Sequence, residues 1–144
     1  MSAADRLSLK SGNTHVFTCA ECGKTAATIE LVLAETVDHG PGPTEEYIVL
    51  PNTDGGTVRM TWLAIASRHA SPKLASMLGG SAPIDPLVLQ KIDYELGAFC
   101  CRHCEANYCT SCWKRWVVFA DDYPGWYEET RGRCPRGHEQ MLDD

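Results

Sequence analysis

The residues best able to do chemistry in this sequence are cysteines that occur in closely spaced pairs. Three pairs have the spacing Cys-x2-Cys, and a fourth pair has the spacing Cys-x3-His. A short turn of this kind presents two ligands on one side of a metal ion, so four turns supply two complete tetrahedral sets. We therefore expect two structural Zn²⁺ ions, held by Cys19/Cys22, Cys101/Cys104, Cys109/Cys112 and Cys134/His138.

The order of the pairs leaves their combination open, since they can join consecutively or in alternation. Only the residues EANY separate the second pair from the third. Such a segment spans at most roughly 18 Å, so the two middle pairs can serve neighbouring ions. We favour alternation. Site 1 then consists of Cys19, Cys22, Cys109 and Cys112, and site 2 consists of Cys101, Cys104, Cys134 and His138.

One cysteine, Cys100, stands outside the four pairs. It could replace Cys101 as a ligand, or it could be an ordinary buried thiol. The second reading is favoured because Cys101 has the Cys-x2-Cys spacing to Cys104.

Strand-forming segments surround the first pair. We predict strands over residues 14–18, 25–34, 46–51 and 57–66, which are rich in β-branched and aliphatic residues. Gly23 follows the first pair directly and suits a position of positive φ.

Three segments carry helix signals. Residues 71–80 and 85–97 each begin with a capping residue followed by proline, and each contains apolar residues on one face. Residues 113–120 have apolar side chains at helical spacing directly after the third pair. A cysteine turn followed by a helix is the treble-clef arrangement. The segment DDYPGWYEETRG then reads as an aromatic and acidic loop or a short hairpin.

These expectations define an α+β protein with a two-zinc cross-brace, or treble-clef, finger. We expect the chain of 144 residues to form a single domain, residues 1–144. Its zinc-binding parts are residues 14–24 and 99–144. A strand-and-helix insertion, residues 25–98, separates the first ligand pair from the second and supplies most of the hydrophobic core.

The run CRHCEANYCTSC resembles the middle of FYVE-type zinc fingers, which have Cys-x2-Cys-x4-Cys-x2-Cys with an aromatic residue before the third cysteine. Here that aromatic residue is Tyr108. The order of four ligand pairs, and Cys134 followed by proline, is also similar to RING fingers. Both families join their ligand pairs in alternation, so the resemblance implies the cross-brace assignment of sites 1 and 2.

Departures from both families shape the functional prediction. The stretch GAFCCRHC lacks the basic run with which FYVE domains read phosphoinositides, and Glu139 stands where active RING ligases often carry a basic residue. We predict a non-catalytic zinc module that mediates protein–protein interaction. The main alternative is a RING-like ubiquitin-ligase-type adaptor that binds a conjugating enzyme. A metal-dependent hydrolase and a phosphoinositide-binding FYVE-like domain rank below it.

The net charge and the first residues of the sequence indicate the class of binding partner and the cellular location. The net charge of −6 disfavours nucleic acid and anionic membranes as partners, so we expect a protein partner. The first residues lack the apolar segment of a secretory signal, which favours a cytoplasmic location. Aromatic residues near the C-terminus are candidate partner-binding residues: Trp113, which we expect to pack mainly on the cysteine turns, and Trp126 and Tyr127.

Overall fold

The computed structural model describes residues 3–32 and 56–144. It contains an antiparallel sheet of five strands in the order β1-β2-β3-β4-β5. The strands are β1 (Leu9–Ser11), β2 (Thr14–Thr18), β3 (Thr25–Val32), β4 (Thr57–Thr61) and β5 (Ile65–His69), preceded by a 3-10 helix (Ala3–Arg6).

The predicted strands over residues 14–18 and 25–34 are confirmed as β2 and β3 within the described residues. The single strand predicted over residues 57–66 is wrong. It is two strands, because the chain turns at residues 62–64 and β5 pairs back on β4, with Thr61 opposite Ile65. The strand predicted over residues 46–51 lies outside the described residues.

Helices α1 (Pro72–Gly79), α2 (Pro86–Ile92) and α3 (Tyr94–Gly97) follow the five-stranded sheet. The caps predicted for the first two are confirmed. Ser71 Oγ accepts a hydrogen bond from Leu74 N, and Asp85 accepts one from Leu87 N. The second predicted helix, residues 85–97, is interrupted at Asp93, whose backbone is extended.

The C-terminal part of the chain is built from strands. Strands β6 (Cys100–Cys101) and β7 (Ala106–Asn107) form a two-stranded ladder. Strands β8 (Lys114–Phe119), β9 (Tyr127–Arg133) and β10 (Glu139–Asp143) form a three-stranded antiparallel sheet in the order β10-β9-β8.

The helix predicted over residues 113–120 is therefore wrong, and with it the treble-clef helix. The apolar residues do recur at helical spacing, but the segment also contains the run VVF, whose residue types favour strands. Pairing with β9 along the length of β8 satisfies the backbone groups on that side of the extended strand. The alternative reading of residues 121–132 as part of a short hairpin is correct, since β8 and β9 are its arms.

The buried side chains form one hydrophobic cluster that reaches from the five-stranded sheet to the cysteine turns. At its centre the Phe99 ring packs on Phe17, with centroids 4.7 Å apart, and on Trp62 at 6.2 Å. Phe99 lies two residues before Cys101, so core packing also places the second ligand pair. Among the described residues, no helix is long and apolar enough to cross a membrane.

A buried histidine connects three elements of this core. The His15 Nε2–H donates to the Leu78 carbonyl over 2.8 Å, so Nδ1 is left to accept from Ser8 Oγ, also at 2.8 Å. Ser8 Oγ in turn accepts from Ile84 N. The ring is fully buried, and burial lowers the pKa of His15. The neutral imidazole is the form that this hydrogen-bond chain accommodates.

We expect His15 to make the folded protein less stable in acid. Its pKa is lower in the folded chain than in the unfolded chain, so the unfolded state takes up the proton first as the pH falls below about 6.5. Denaturant unfolding of the wild type and of His15→Gln between about pH 7.5 and pH 5 measures this effect. Both proteins share the pH dependence that comes from the metal ligands. Subtracting the His15→Gln curve of unfolding free energy against pH from the wild-type curve therefore leaves the contribution of His15. Equal slopes of unfolding free energy against pH would contradict the prediction.

Candidate metal centres

The first cysteine turn lies between β2 and β3. Cys19 N donates to the Lys24 carbonyl at 2.7 Å, and Gly23 N donates to the Cys19 carbonyl at 3.0 Å. Gly23 has φ +78°, as predicted, in the left-handed region where glycine has no steric cost. These bonds close a tight loop that turns Cys19 and Cys22 to the same side.

The last turn has the same design. Cys134 N donates to the His138 carbonyl at 2.8 Å, and Gly137, at φ +93°, donates to the Cys134 carbonyl. The His138 N–H also points at Cys134 Sγ, 3.4 Å away. In the second turn the left-handed position is held by Glu105, at φ 54°, and Cys104 N lies 3.4 Å from Cys101 Sγ. Backbone N–H groups aimed at sulfur stabilise the thiolate form.

The four turns converge as two groups. Cys19 Sγ lies 3.7 Å from Cys112 Sγ, Cys22 Sγ lies 3.6 Å from Cys109 Sγ, and Cys109 and Cys112 are 3.6 Å apart. The first turn therefore meets the third. In each group all four ligand atoms lie within 4.8 Å of one another, and the members are Cys19, Cys22, Cys109 and Cys112 in one, and Cys101, Cys104, Cys134 and His138 in the other.

In the second group the ligand atom of the histidine is Nδ1. It lies 3.2 Å from Cys104 Sγ, 3.4 Å from Cys134 Sγ and 3.8 Å from Cys101 Sγ. Cys104 and Cys134 are 3.7 Å apart. The His103 ring stacks on the His138 ring with centroids 4.9 Å apart, which holds the plane of the imidazole.

These separations fit the edges of a tetrahedron around one ion. With metal–sulfur bonds of about 2.3 Å and metal–nitrogen bonds of about 2.0–2.1 Å, a tetrahedral site has edges of roughly 3.8 Å between sulfurs and roughly 3.5 Å between sulfur and nitrogen. The sulfur–sulfur distances of 3.6 to 3.7 Å match this spacing. Each group can hold a metal ion. The four donors of each group surround the space between them. They would fill all four positions of a tetrahedral ion and leave none for water.

The pKa values of the cysteine thiols also favour the binding of a cation. Burial raises the pKa of Cys19, but N–H groups of its own turn and of Cys109 outweigh burial and bring the pKa down to about 7. Burial, followed by contact with neighbouring thiols, raises the pKa of Cys112. In the second group, burial raises the pKa of Cys101 to about 12. The thiols of one group thus differ in pKa, and a bound cation allows all cysteines of a group to ionise.

Two glutamines position the second group, and the sequence analysis missed both. Gln140 on β10 is buried, and its Nε2 donates to the carbonyls of Ala98 and Cys100 at 2.8 and 3.0 Å. Its Oε1 accepts from Arg102 N. Gln90 on α2 donates to the Cys100 carbonyl at 2.8 Å. An isolated glutamine has no signal in sequence, because these bonds exist only once distant segments meet.

A buried asparagine does the same for the first group. The Asn107 carbonyl on β7 accepts from Ala20 N at 2.7 Å, which ties the first cysteine turn to the strand leading into the third turn. The Asn107 side chain donates to the Arg6 carbonyl at 2.9 Å. Arg6 in turn forms a two-pronged ion pair with Asp85, both contacts at 2.8 Å. The N-terminal segment is thereby linked to β7 and to the start of α2.

Cys100 does not join either group. It is fully buried, its thiol lies 3.9 Å from the Cys101 carbonyl, and burial raises its pKa. Cys101 is the member of the second group, as its spacing to Cys104 indicates. Cys100 behaves as a small apolar core residue.

The candidate partner-binding residues are in different surroundings. Trp113 is only 2% exposed, and its Nε1–H donates to the Phe99 carbonyl at 3.2 Å, so it packs beneath the cysteine turns. Trp126, at the tip of the β8–β9 hairpin, is 70% exposed, and Tyr127 is 46% exposed. The sequence analysis did not single out Tyr123, which is 65% exposed and lies 5.9 Å from Trp126.

A family model described as Domain of unknown function (DUF8328) matches residues 10–144. The match covers both cysteine groups and nearly the whole chain, and the protein belongs to this family. No curated protein and no solved structure matches the sequence.

Substitution of ligands in pairs tests how the groups are composed. Cys22→Ala, Cys112→Ala, Cys104→Ala and His138→Ala should each lower the bound metal from two ions to one, because a tetrahedral site with three protein ligands binds far more weakly. Cys22→Ala combined with Cys112→Ala should still retain one ion, whereas Cys22→Ala combined with Cys104→Ala should retain none. Elemental analysis of the purified variants gives the count.

Cys100→Ala is the matched control and should retain both ions, since Cys100 belongs to neither group. Retention of one ion by the Cys22/Cys104 double variant would show that these two cysteines share a site, contrary to the distances.

Proposed function

We propose that this protein is a structural zinc module that mediates protein–protein interaction. The observation that carries the proposal is the convergence of eight ligand atoms into two closed groups of four. Soft thiolates in tetrahedral array suit zinc or iron–sulfur chemistry. A lone imidazole among three thiolates, at spacings that fit a single ion, favours Zn²⁺.

The order of the ligand turns supports a cross-brace. The first turn joins the third and the second joins the fourth, which is the connectivity of FYVE and RING fingers. The match to those fingers is in connectivity alone, because β8 stands where a treble clef has its helix. We infer a cross-brace zinc module whose distal parts are strands.

The closed ligand sets favour a structural role over catalysis. Hydrolytic zinc sites have three protein ligands and keep a fourth position for water. Here each group supplies four protein ligands within 4.8 Å of one another. Zinc then acts by joining distant segments, and its binding free energy becomes part of the folding free energy.

The hairpin tip is the proposed interaction surface. Tyr123, Trp126 and Tyr127 lie together there with 65%, 70% and 46% of their surface exposed. Aromatic side chains dominate the binding energy of protein interfaces. The acidic residues beside them, Asp121, Asp122 and Glu128, favour a partner with basic groups around an apolar centre.

A ligase-type adaptor is the second candidate, because the ligand turns of this protein combine in the same order as those of RING fingers. Such an adaptor would bind the conjugating enzyme in a groove between the first cysteine turn and a helix over residues 113–120, and β8 occupies that segment instead. A turnover assay with ubiquitin-charged conjugating enzymes tests it. Absence of both binding and accelerated discharge would exclude the adaptor role and leave the structural module intact.

We expect the protein purified from cells to contain two zinc ions per chain. Replacement by Co²⁺ should give the intense visible absorption of tetrahedral sites, together with thiolate-to-metal bands, at two equivalents. Removal of the metal by a chelator should unfold the C-terminal sheet, as followed by circular dichroism. Iron in place of zinc, or the weak spectrum of a six-coordinate cobalt ion, would contradict the proposal.

Trp126→Ala should weaken partner binding by at least about tenfold, the order expected for an aromatic anchor. The measurement compares proteins captured by immobilised wild type and variant from the native cell extract, with quantification of each captured protein. Leu9→Ala is the control, because Leu9 is equally exposed, at 68%, and lies on β1. Equal capture by all three would remove the hairpin tip as the interaction surface.

A further inference from the structure

The C-terminal sheet ends in an edge strand with apolar side chains. Strand β8 pairs with β9, and no strand among the described residues pairs with its other side. Val117 is 47% exposed and Phe119 is 55% exposed. An exposed, apolar edge strand is a template for pairing with another strand, which monomeric proteins normally avoid.

The backbone direction along β8 follows from the end of the hairpin. Ala120 N donates to the Trp126 carbonyl at 2.8 Å, so the backbone groups of Ala120 point toward the β9 side. The irregular register between Val118 and Phe119 comes from one extra residue, Glu128, on β9, so β8 itself keeps the alternation of direction from residue to residue. The free N–H and C=O groups of β8 therefore belong to Arg115, Val117 and Phe119.

The charges at the two ends of β8 are opposite in sign. Lys114 and Arg115 begin the strand, and Asp121 and Asp122 follow its end. All four residues are exposed. A strand with one basic and one acidic end is complementary to a second copy of itself that runs in the opposite direction.

We propose that the strand pairing with β8 is the β8 of a second copy of this chain, antiparallel to it and related by a two-fold axis at Val118. In this register Arg115 lies opposite Asp121 of the other copy, Lys114 lies opposite Asp122, and Val117 lies opposite Phe119. The contacts occur twice, as they do in every two-fold interface. The proposal rests on the proposed function in one respect, since it makes a second copy of the chain one partner of the hairpin surface.

The charges select one register among those that the backbone allows. The axis at Val118 pairs Val117 with Phe119 and Arg115 with Asp121, so Arg115, Val117 and Phe119 all keep their outward-pointing groups at the interface. An axis at Val117 would place Asp121 opposite Trp113, which is 2% exposed and buried in the core. Only the first register gives both basic residues an acidic counterpart.

In the proposed dimer, the hairpin tip of each copy lies near the other copy. The loop that carries Tyr123 and Trp126 follows Asp122, which in this register lies opposite Lys114 of the other copy. Aromatic rings beside basic side chains form favourable cation–π contacts. The two copies form a continuous sheet of six strands, in which the exposed aromatic residues of each copy become interface residues.

The test is a charge swap, measured by sedimentation on the zinc-loaded full chain at about 0.15 M salt, where repulsion between the two acidic chains is screened beyond roughly 8 Å. The wild type should form dimers. One variant carries Lys114→Glu and Arg115→Glu, and the other carries Asp121→Lys and Asp122→Lys. Each alone should dimerise at least about tenfold more weakly, because each places like charges opposite each other.

An equimolar mixture of the two variants should restore dimerisation, since every ionic contact across the mixed interface is again between opposite charges. The second variant is less acidic than the wild type, so a general charge effect would make it associate more strongly, not less. Lys73→Glu with Lys91→Glu is the control for the first variant and should leave dimerisation unchanged, because both lysines are exposed and lie outside the hairpin.

Val117→Pro tests the pairing of the two β8 strands independently of charge. It removes one outward-pointing N–H while leaving the β9 pairing in place, as edge strands allow, and it should also abolish dimerisation. Zinc content and circular dichroism verify that each variant is folded.

A wild type that stays monomeric, charge variants that both still dimerise, or a mixture that does not recover would each overturn the proposal. Zinc binding and Trp126-dependent capture of another protein would persist in any of these cases, so the failure of the dimer is distinct from a failure of the proposed function.

Discussion

The structure depends on the meeting of the first cysteine turn with the third. Cys19 and Cys22 lie in the five-stranded sheet, whereas Cys109 and Cys112 precede the three-stranded sheet, yet their sulfur atoms approach to 3.6–3.7 Å. Four cysteine sulfurs at this separation repel one another once ionised, and a cation at their centre turns that repulsion into attraction. A single ion would thereby join the two sheets.

Hydrogen bonds outside the ligand sets also hold these segments together. Asn107 connects the first turn to the strand before the third, and Gln140 connects the strand after the last turn to the segment before the second. The Gln140 side chain is almost completely buried, so its bonds form in a low dielectric where an unpaired partner would be costly. Four of the ligand residues belong to the buried hydrophobic cluster: Cys19, Cys101, Cys109 and Cys134.

Much of the local structure was predictable from the sequence, and the failures share one cause. Ser71 and Asp85 cap helices because capping depends on neighbouring residues alone. The prediction failed for residues 113–120, where helical spacing of apolar residues competed with a β-branched and aromatic run. The pairing partner, β9, begins after the hairpin tip, so only tertiary contact decided between helix and strand.

The sequence by itself determined the ligand residues, because two donors on one short turn are a local property of spacing. It also determined that Cys101 is favoured over Cys100, from the same spacing. The tertiary structure decided which turns share a group, which amides hold them, and that Trp113 is buried while Trp126 is exposed. These outcomes depend on contacts between segments far apart in the chain, so local patterns could favour the alternating combination and a packed Trp113 but could not decide them.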